Sequence, residues 1–314
     1  MSTSEPESPP RSESLRASTH LRAIGTALFV TMLWSSSWIL IRVGLDDEDL
    51  APLTFAGLRY SLAALTLWAW MASRPARRRQ LGVLDRQMLR RLAVLGVVFV
   101  AITQGAQFVA IDNQPAATTS LMLAPTALFV GLLSARSLGE GASRRQVAGA
   151  ALVIVGAVAY FAGDLGATAI GMIAAGIGLA ANVTSSLMGR AINRRDDITP
   201  ALVTTVSMSV GAVLLLGAGL AVEGIPTLTP KLVAIITWLA VVNTAFAFTL
   251  WNRSQRRLAA VESAAINNTM LIQIAALAWI FLDEAPGPAG VVGIVVVSAG
   301  AYLTTSAPLA TRRR

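Results

Sequence analysis

Ten stretches of the chain are almost free of charge, and each approaches the roughly 20 apolar residues that a helix needs to cross a bilayer. They cover residues 21–43, 52–72, 92–111, 115–135, 146–162, 167–189, 200–222, 232–251, 259–282 and 289–306, bounded by charge clusters or Pro/Gly breaks. The pattern predicts an all-α polytopic membrane protein with ten transmembrane helices. Residues 1–20 differ from all that follows: rich in Ser, Pro and Glu, with little to bury, they read as a disordered cytoplasmic tail. A signal peptide is not expected, because 21–43 is of spanning length and runs straight into another helix.

The connecting segments orient the spans. Arg74, Arg77, Arg78, Arg79, Arg86, Arg90 and Arg91 fill one loop, Arg136, Arg144 and Arg145 another, Arg190, Arg194 and Arg195 a third, and Arg253, Arg256 and Arg257 a fourth. The intervening loops carry Asp46-Asp47-Glu48-Asp49, Asp112-Asn113-Gln114, Asp164, Glu223 with Lys231, and Asp283-Glu284. With the tails included, twenty-two arginines fall on one side against a single lysine on the other. The positive-inside rule then places both termini in the cytoplasm, as an even number of spans requires. The triple Arg77-Arg78-Arg79 is read as a short cytoplasmic loop rather than a nucleic-acid or lipid patch.

Composition narrows the class. Of 314 residues 54% are hydrophobic and 13% charged, against about a quarter charged in soluble domains, and the mean hydropathy is +0.63. This excludes disorder, a solenoid and a DNA-binding domain despite a net charge of +8. No cysteine is present, and the one histidine, His20, lies in the tail, so thiol zinc sites, Fe–S clusters and histidine proton relays are not expected. Lys231 is the sole lysine among twenty-five basic residues, an Arg-biased usage that fits a GC-rich bacterial genome and a bacterial inner membrane.

At a spacing of 144 the chain echoes itself. Leu138 and Glu140 return as Leu282 and Glu284, Gly149 as Gly293, Val153 as Val297, Gly156 as Gly300 and Ala157 as Ala301. Glycines seven residues apart share one helix face and admit close packing. Five helices per copy is an odd number, so the two copies have opposite orientation, an arrangement found in transporters. The expected organisation is a tail at 1–20, repeats at 21–163 and 164–306, and a basic cytoplasmic tail at 307–314.

Trp34-Ser35-Ser36-Ser37-Trp38 through Arg42, Phe55 with Leu58-Arg59-Tyr60, Phe108, Ala117 to Leu121 with Pro125, and Leu138-Gly139-Glu140 with Gln146 and Gly149 together resemble the ten-helix EamA-type permeases of the drug/metabolite transporter superfamily. The resemblance covers nearly all of the chain after the tail. It implies a 5+5 inverted repeat and export or exchange of small metabolites, often amino acids or nucleobases, through a cavity between the halves. One departure is Asn267-Asn268-Thr269, which stands where the second half of the family carries a proline, so a kink in the ninth helix is not implied.

Polar side chains within a span are costly and usually face the bundle interior. Trp34, Trp38 and Arg42 lie at i, i+4 and i+8 on one stripe, suited to an aromatic or carboxylate-bearing solute or, for Trp38 and Arg42, to interfacial anchoring. Arg59 sits seven residues past Pro52, about 10 Å along the axis, where it either attracts a solute carboxylate or caps carbonyls and snorkels to the acidic loop. Gln104, Gln107, Asn182, Asn243, Asn267, Asn268 and Gln273 are amides that bind solute or tie helices together, and Pro125 is a candidate hinge. The substrate-binding set expected is Trp34, Trp38, Arg59, Gln104, Gln107, Asn182, Asn243, Asn267 and Gln273. No Asp or Glu lies deep in a span, so facilitated transport or exchange is expected, with Glu140, Glu284 and Asp112 as fallback proton sites.

Gly176-x-Gly178-x-x-Ala181 lies mid-span and is not a dinucleotide fingerprint, the two Asn-x-Thr matches lie in the bilayer, and the acidic loop reads as solvated rather than as a cation site. The expected function is alternating-access transport of small metabolites, amino acids or related amphipathic solutes first. The competing class is a membrane-embedded enzyme acting on a lipid-linked substrate. No cofactor or metal is expected. The expected partners are a small-molecule solute and the lipid bilayer, with no nucleic acid, in a monomer or homodimer.

Overall fold

The computed structural model describes residues 10–73, 75, 79–126, 129–130, 133, 144–161, 166–193, 198–255, 266–267 and 269–306. Among them every regular element is helical. The helices are α1 (Pro10–Asp46), α2 (Pro52–Ala72), α3 (Arg86–Asn113), α4 (Ala116–Leu123), α5 (Arg144–Phe161), α6 (Ala169–Asn193) and α7 (Pro200–Val222). Three consecutive pieces, Pro230–Ala240, Val241–Phe246 and Ala247–Gln255, form α8, followed by α9 (Met270–Leu282) and α10 (Pro288–Ser306). Four stretches are long and apolar enough to cross a membrane, Thr19–Asp46, Arg86–Asn113, Ala169–Gly189 and Pro200–Val222, and shorter apolar helices accompany them. Helix α1 starts at Pro10, ahead of the stretch expected from hydropathy: proline suits the first turn, and the Ser, Glu, Leu, Arg and Ala that follow extend the same helix. Glu140, Asn268, Arg136, Arg194, Arg195, Arg256 and Arg257 lie outside the described residues.

The starts of the helices follow from local chemistry. Thr199 and Thr229 each precede a proline and accept from the N–H three residues on, Leu202 at 3.4 Å and Leu232 at 3.1 Å. Asp85 accepts from the Met88 N–H at 2.6 Å to start α3. Helix α9 stops where Asp283 turns left-handed at φ 60°.

Packing relates the first five helices to the last five. Helix α1 lies on α8 and α9, and α6 lies on α3 and α4; α2 pairs with α7, α4 with α9 and α5 with α10. Adding five to each label maps this set onto itself. The α5–α10 contact is made by the repeated small residues. A Cβ on Gly156 would stand 2.6 Å from the Val297 backbone nitrogen, and one on Gly300 would stand 2.6 Å from the Gly149 carbonyl oxygen, so only glycine admits this approach. Wide turns with i→i+5 bonding interrupt α3 at Val97–Gln104 and α8 at Val241–Phe246. Their first residues are separated by the repeat spacing found in the sequence.

The main buried cluster lies between α1, α2, α3, α7 and α8 and includes Trp38, Phe55, Tyr60, Phe108 and Leu232. Phe55 meets Phe108 edge-on, with ring centroids 5.2 Å apart.

Candidate functional site

A cavity of 460 Å³ opens between α1, α3, α4, α6 and α9. Trp38 enters it from α1, Gln107 from α3, Ser120 and Thr126 from the α4 segment, Asn182 and Ser186 from α6, and Asn267 from the residues before α9. Leu123, Val130, Met270, Leu271 and Ile274 supply its apolar wall, and no charged residue is among its described lining. The result is a surface of amides, hydroxyls and one indole set into hydrocarbon, which suits a small amphipathic molecule.

Its depth follows from helix rise. At 1.5 Å per residue, Trp38 lies about 12 Å below the acidic-loop end of α1, Asn182 about 20 Å and Ser186 about 26 Å below the matching end of α6. Ser186 also lines a smaller cavity of 150 Å³ with Leu95, Thr204 and Phe248, nearer the arginine-rich loops. A second, mainly apolar cavity thus lies nearer the basic end and shares Ser186 with the first.

At the acidic end several contacts bridge helices of the first repeat and of the second, beside a cleft of 480 Å³ between α1 and α9 lined by Asp46, Asp47 and Asp283. The Glu223 carboxylate, just past α7, accepts from the N–H groups of Leu53 at 3.0 Å and Thr54 at 2.7 Å, capping α2. Glu284, just past α9, accepts from the Ala116 N–H at 3.4 Å at the start of α4. Burial pushes its carboxyl above the ordinary carboxylate range, and the Ala116 N–H, Arg42 and the Ala117 N–H pull it partly back. Thr229 donates to Glu48, and Lys231 pairs with Asp47 at 3.0 Å and Glu48 at 3.3 Å. Thr168 donates to the Asn113 carbonyl at 2.9 Å.

Of the residues expected to bind solute, the structure brings Trp38, Gln107, Asn182 and Asn267 to this one cavity. The Asn182 amide also donates to Thr126 at 3.4 Å. The others lie elsewhere. Trp34 donates its indole N–H to the Asn243 carbonyl at 3.1 Å and packs against Phe248 and Trp251. The Asn243 side chain donates to the Leu33 carbonyl at 2.7 Å and to Ser37 at 2.8 Å, tying α8 to α1. Gln273 accepts from Ser35 at 2.9 Å and donates to Thr31 at 3.2 Å and Thr269 at 2.9 Å, tying α9 to α1. Gln104 accepts from the Tyr60 hydroxyl at 2.6 Å. Arg59 is 6% exposed and reaches Thr244 at 3.4 Å. Arg42 donates to the carbonyls of Ile111 and Asp112 and pairs with Asp46 at 2.7 Å, closing the end of α3.

Pro125 stands beside the cavity. Regular α4 ends at Leu123, and the Ala124 N–H turns back to the Leu121 carbonyl at 3.1 Å, one residue short of helical. In the second half the Thr269 N–H makes the same short bond to the Ile266 carbonyl at 3.1 Å, and α9 begins at Met270. The regular bonding of α9 thus starts at this level without a proline, with Thr269 itself in helical conformation. Ser120, Thr126 and Ser186 join the cavity without having been singled out in the sequence; Ser120 and Thr126 bond their own helix, and such hydroxyls look alike on every face.

Comparison with known proteins bears on what such a cavity serves. The profile of the EamA-like transporter family matches residues 21–162 and again 169–306. A relative from Escherichia coli named "probable amino-acid metabolite efflux pump" is 26% identical over 289 residues, covering 88% of this chain and 92% of its own. One from Streptantibioticus cattleyicolor, named "probable terminal-alkyne amino-acid exporter", is 28% identical over 303 residues, covering 93% of this chain and 96% of its own. A known crystal structure matches with a TM-score of 0.63 at 19% identity, covering 94% of this chain and 100% of that one, which is a likeness of fold alone.

Proposed function

The chain belongs to the EamA-like transporter family, and from that premise we propose that it exports or exchanges amino acids or related amphipathic metabolites by alternating access across the bacterial inner membrane. It is a multi-pass membrane transporter of small molecules rather than an enzyme. The observation that carries the finer reading is the uncharged cavity lined by Trp38, Gln107, Asn182 and Asn267 between the two halves. Amide dipoles can meet both ends of a zwitterion, and the indole and aliphatic wall accept its side chain. The names borne by the two relatives, both concerned with amino-acid compounds, support the same solute class.

Ten spans in two inverted sets of five fit the packing pattern, which maps onto itself when the sets are exchanged. Both termini belong in the cytoplasm by the arginine asymmetry of the loops. In that orientation the bridged acidic end is external and the second cavity lies on the cytoplasmic side of the first, where a carrier would take up an export substrate. Repeats 21–163 and 164–306 rocking about the cavity would exchange access. With no carboxylate among the described lining, the driving force assigned here is the solute gradient itself, by exchange or facilitated flux.

Counterflow in proteoliposomes tests this. Vesicles preloaded with a mixture of unlabelled amino acids should accumulate a labelled member of that class, nucleobases and amines serving as comparison panels. Stimulation by nucleobases or amines alone would replace the solute class. No stimulation by any class, with the protein folded and inserted, would overturn the reading.

A further inference from the structure

We propose that Arg59 is the binding residue for a monovalent anion inside the membrane, at the junction of α2, α3 and α8. Arg59 is only 6% exposed, in the interior of α2. A guanidinium keeps its charge at any physiological pH, so its burial calls for a counter-charge. The ion pairs of Arg42 with Asp46 and of Lys231 with Asp47 and Glu48 lie at the acidic end, and none of them reaches Arg59. Its Nε–H is buried without an acceptor. Its Nη2 has a long contact of 3.4 Å to the Thr244 hydroxyl oxygen, whose own proton goes to the Leu239 carbonyl at 2.8 Å. The ring of Tyr60 lies 5.1 Å away and that of Phe108 6.0 Å, and such faces offset only part of a desolvated charge. The Tyr60 hydroxyl is turned to Gln104 at 2.6 Å.

A buried cation with an unused donor is thus left only partly compensated, and a small anion would complete it with charge-assisted bonds. The place is close to the transport path. Helix α3 sends Gln107 into the cavity and Phe108 over Arg59, while Trp38 and Ile274 belong both to the cavity lining and to the buried cluster holding Tyr60 and Phe108. Two sources share the required chemistry: a resident chloride, or the carboxylate of the solute. The second source rests on the proposed function; the first does not.

The test is the thermal unfolding midpoint of the purified full chain, titrated with sodium chloride or sodium acetate against bulky sodium isethionate at constant ionic strength. The expected result is a saturable rise with at least one small anion. A rise with chloride identifies a resident halide, and a rise with acetate alone identifies a carboxylate station. Arg59→Gln should remove the rise, and Arg59→Lys, which keeps charge but not the planar fork, should raise the half-saturating concentration at least tenfold. A midpoint that is flat for wild type in both anions overturns the proposal, as does a rise that persists unchanged in either variant. If neither variant folds, competition decides: chloride and acetate sharing one saturable site supports the proposal, and independent, non-saturating effects overturn it. Because no transport is measured, failure here is distinguishable from failure of the counterflow experiment.

Discussion

The contact that most directly bridges the two repeats at the acidic end is the Glu223 carboxylate on the first N–H groups of α2, at 3.0 and 2.7 Å. Replacing it, as in Glu223→Ala, removes both bonds and leaves the α2 start without its cap. Hydrogen bonds to a charged group contribute about 1.5–3 kcal/mol each when well shielded. Glu223 is only half-buried and water can reach the freed N–H groups, so about 2 kcal/mol for the pair is the appropriate magnitude. The exposed ties of Lys231 add little by the same reasoning. If these bonds exist only while the acidic end is closed, losing about 2 kcal/mol raises the population of the open form about 30-fold.

The absence of cysteine makes this measurable in an otherwise native chain. Ala124 lines the cavity, so Ala124→Cys supplies a single thiol there. Labelling by a membrane-impermeant maleimide from the external face should accelerate by about ten- to thirty-fold when Glu223→Ala is added. Glu223→Gln, which keeps one acceptor but no charge, should fall between. An unchanged labelling rate in a folded Glu223→Ala protein with a lowered melting temperature would show that Glu223 is a helix cap and not a latch, refuting the argument.

Three further outcomes follow from the same geometry. Gln107→Ala and Asn182→Ala should each slow counterflow about tenfold or more at unchanged membrane expression, the loss of one to two solute hydrogen bonds, whereas Gln273→Ala should lower the melting temperature first, because its amide joins α1 to α9. Gly300→Leu should destabilise the protein by about 1–3 kcal/mol through forced separation of α5 and α10, read as a fall in unfolding midpoint, and the mirror substitution Gly156→Leu should act alike. Glu284 sets a pH dependence: its folded carboxyl titrates above its unfolded one, so between the two values the folded chain holds more protons and stability falls as pH rises through that window. Glu284→Gln should remove that share of the slope in a pH series of unfolding midpoints, and an identical slope in the variant would dismiss the assignment.

Legibility in the sequence divided along physical lines. What depends on composition was readable: the all-helical apolar character, and the glycines of the repeat, which the structure sets against each other at the α5–α10 contact. What depends on which way a side chain points was not. Gln104 and Gln107 are neighbours on α3, yet at 100° per residue they stand about 60° apart, enough to send one to Tyr60 and the other into the cavity. Asn243 and Asn182 are the same amide in similar surroundings. One is consumed by α1 and the other faces open space, a difference made by the neighbouring helix rather than by the residue.

The interruptions of the helices were least readable, and they have the same cause. Neither wide turn contains a proline or glycine to announce it. Instead each is completed by a threonine whose hydroxyl bonds five residues back, Thr103 to the Val98 carbonyl and Thr244 to the Leu239 carbonyl, both at 2.8 Å. A further carbonyl from the second turn, that of Asn243, receives the Trp34 indole. Thr103 and Thr244 look like ordinary apolar-helix threonines, because a hydroxyl bonded to its own helix leaves no mark in the sequence, and only at Asn243 does a neighbouring helix meet the turn. The same holds at Thr269, whose N–H makes the short bond that Ala124 makes beside Pro125, without a proline to announce it. At the wide turns of α3 and α8 the Val98, Leu239 and Asn243 carbonyls have partners outside the regular ladder, so these two helices can bend there without leaving those carbonyls bare.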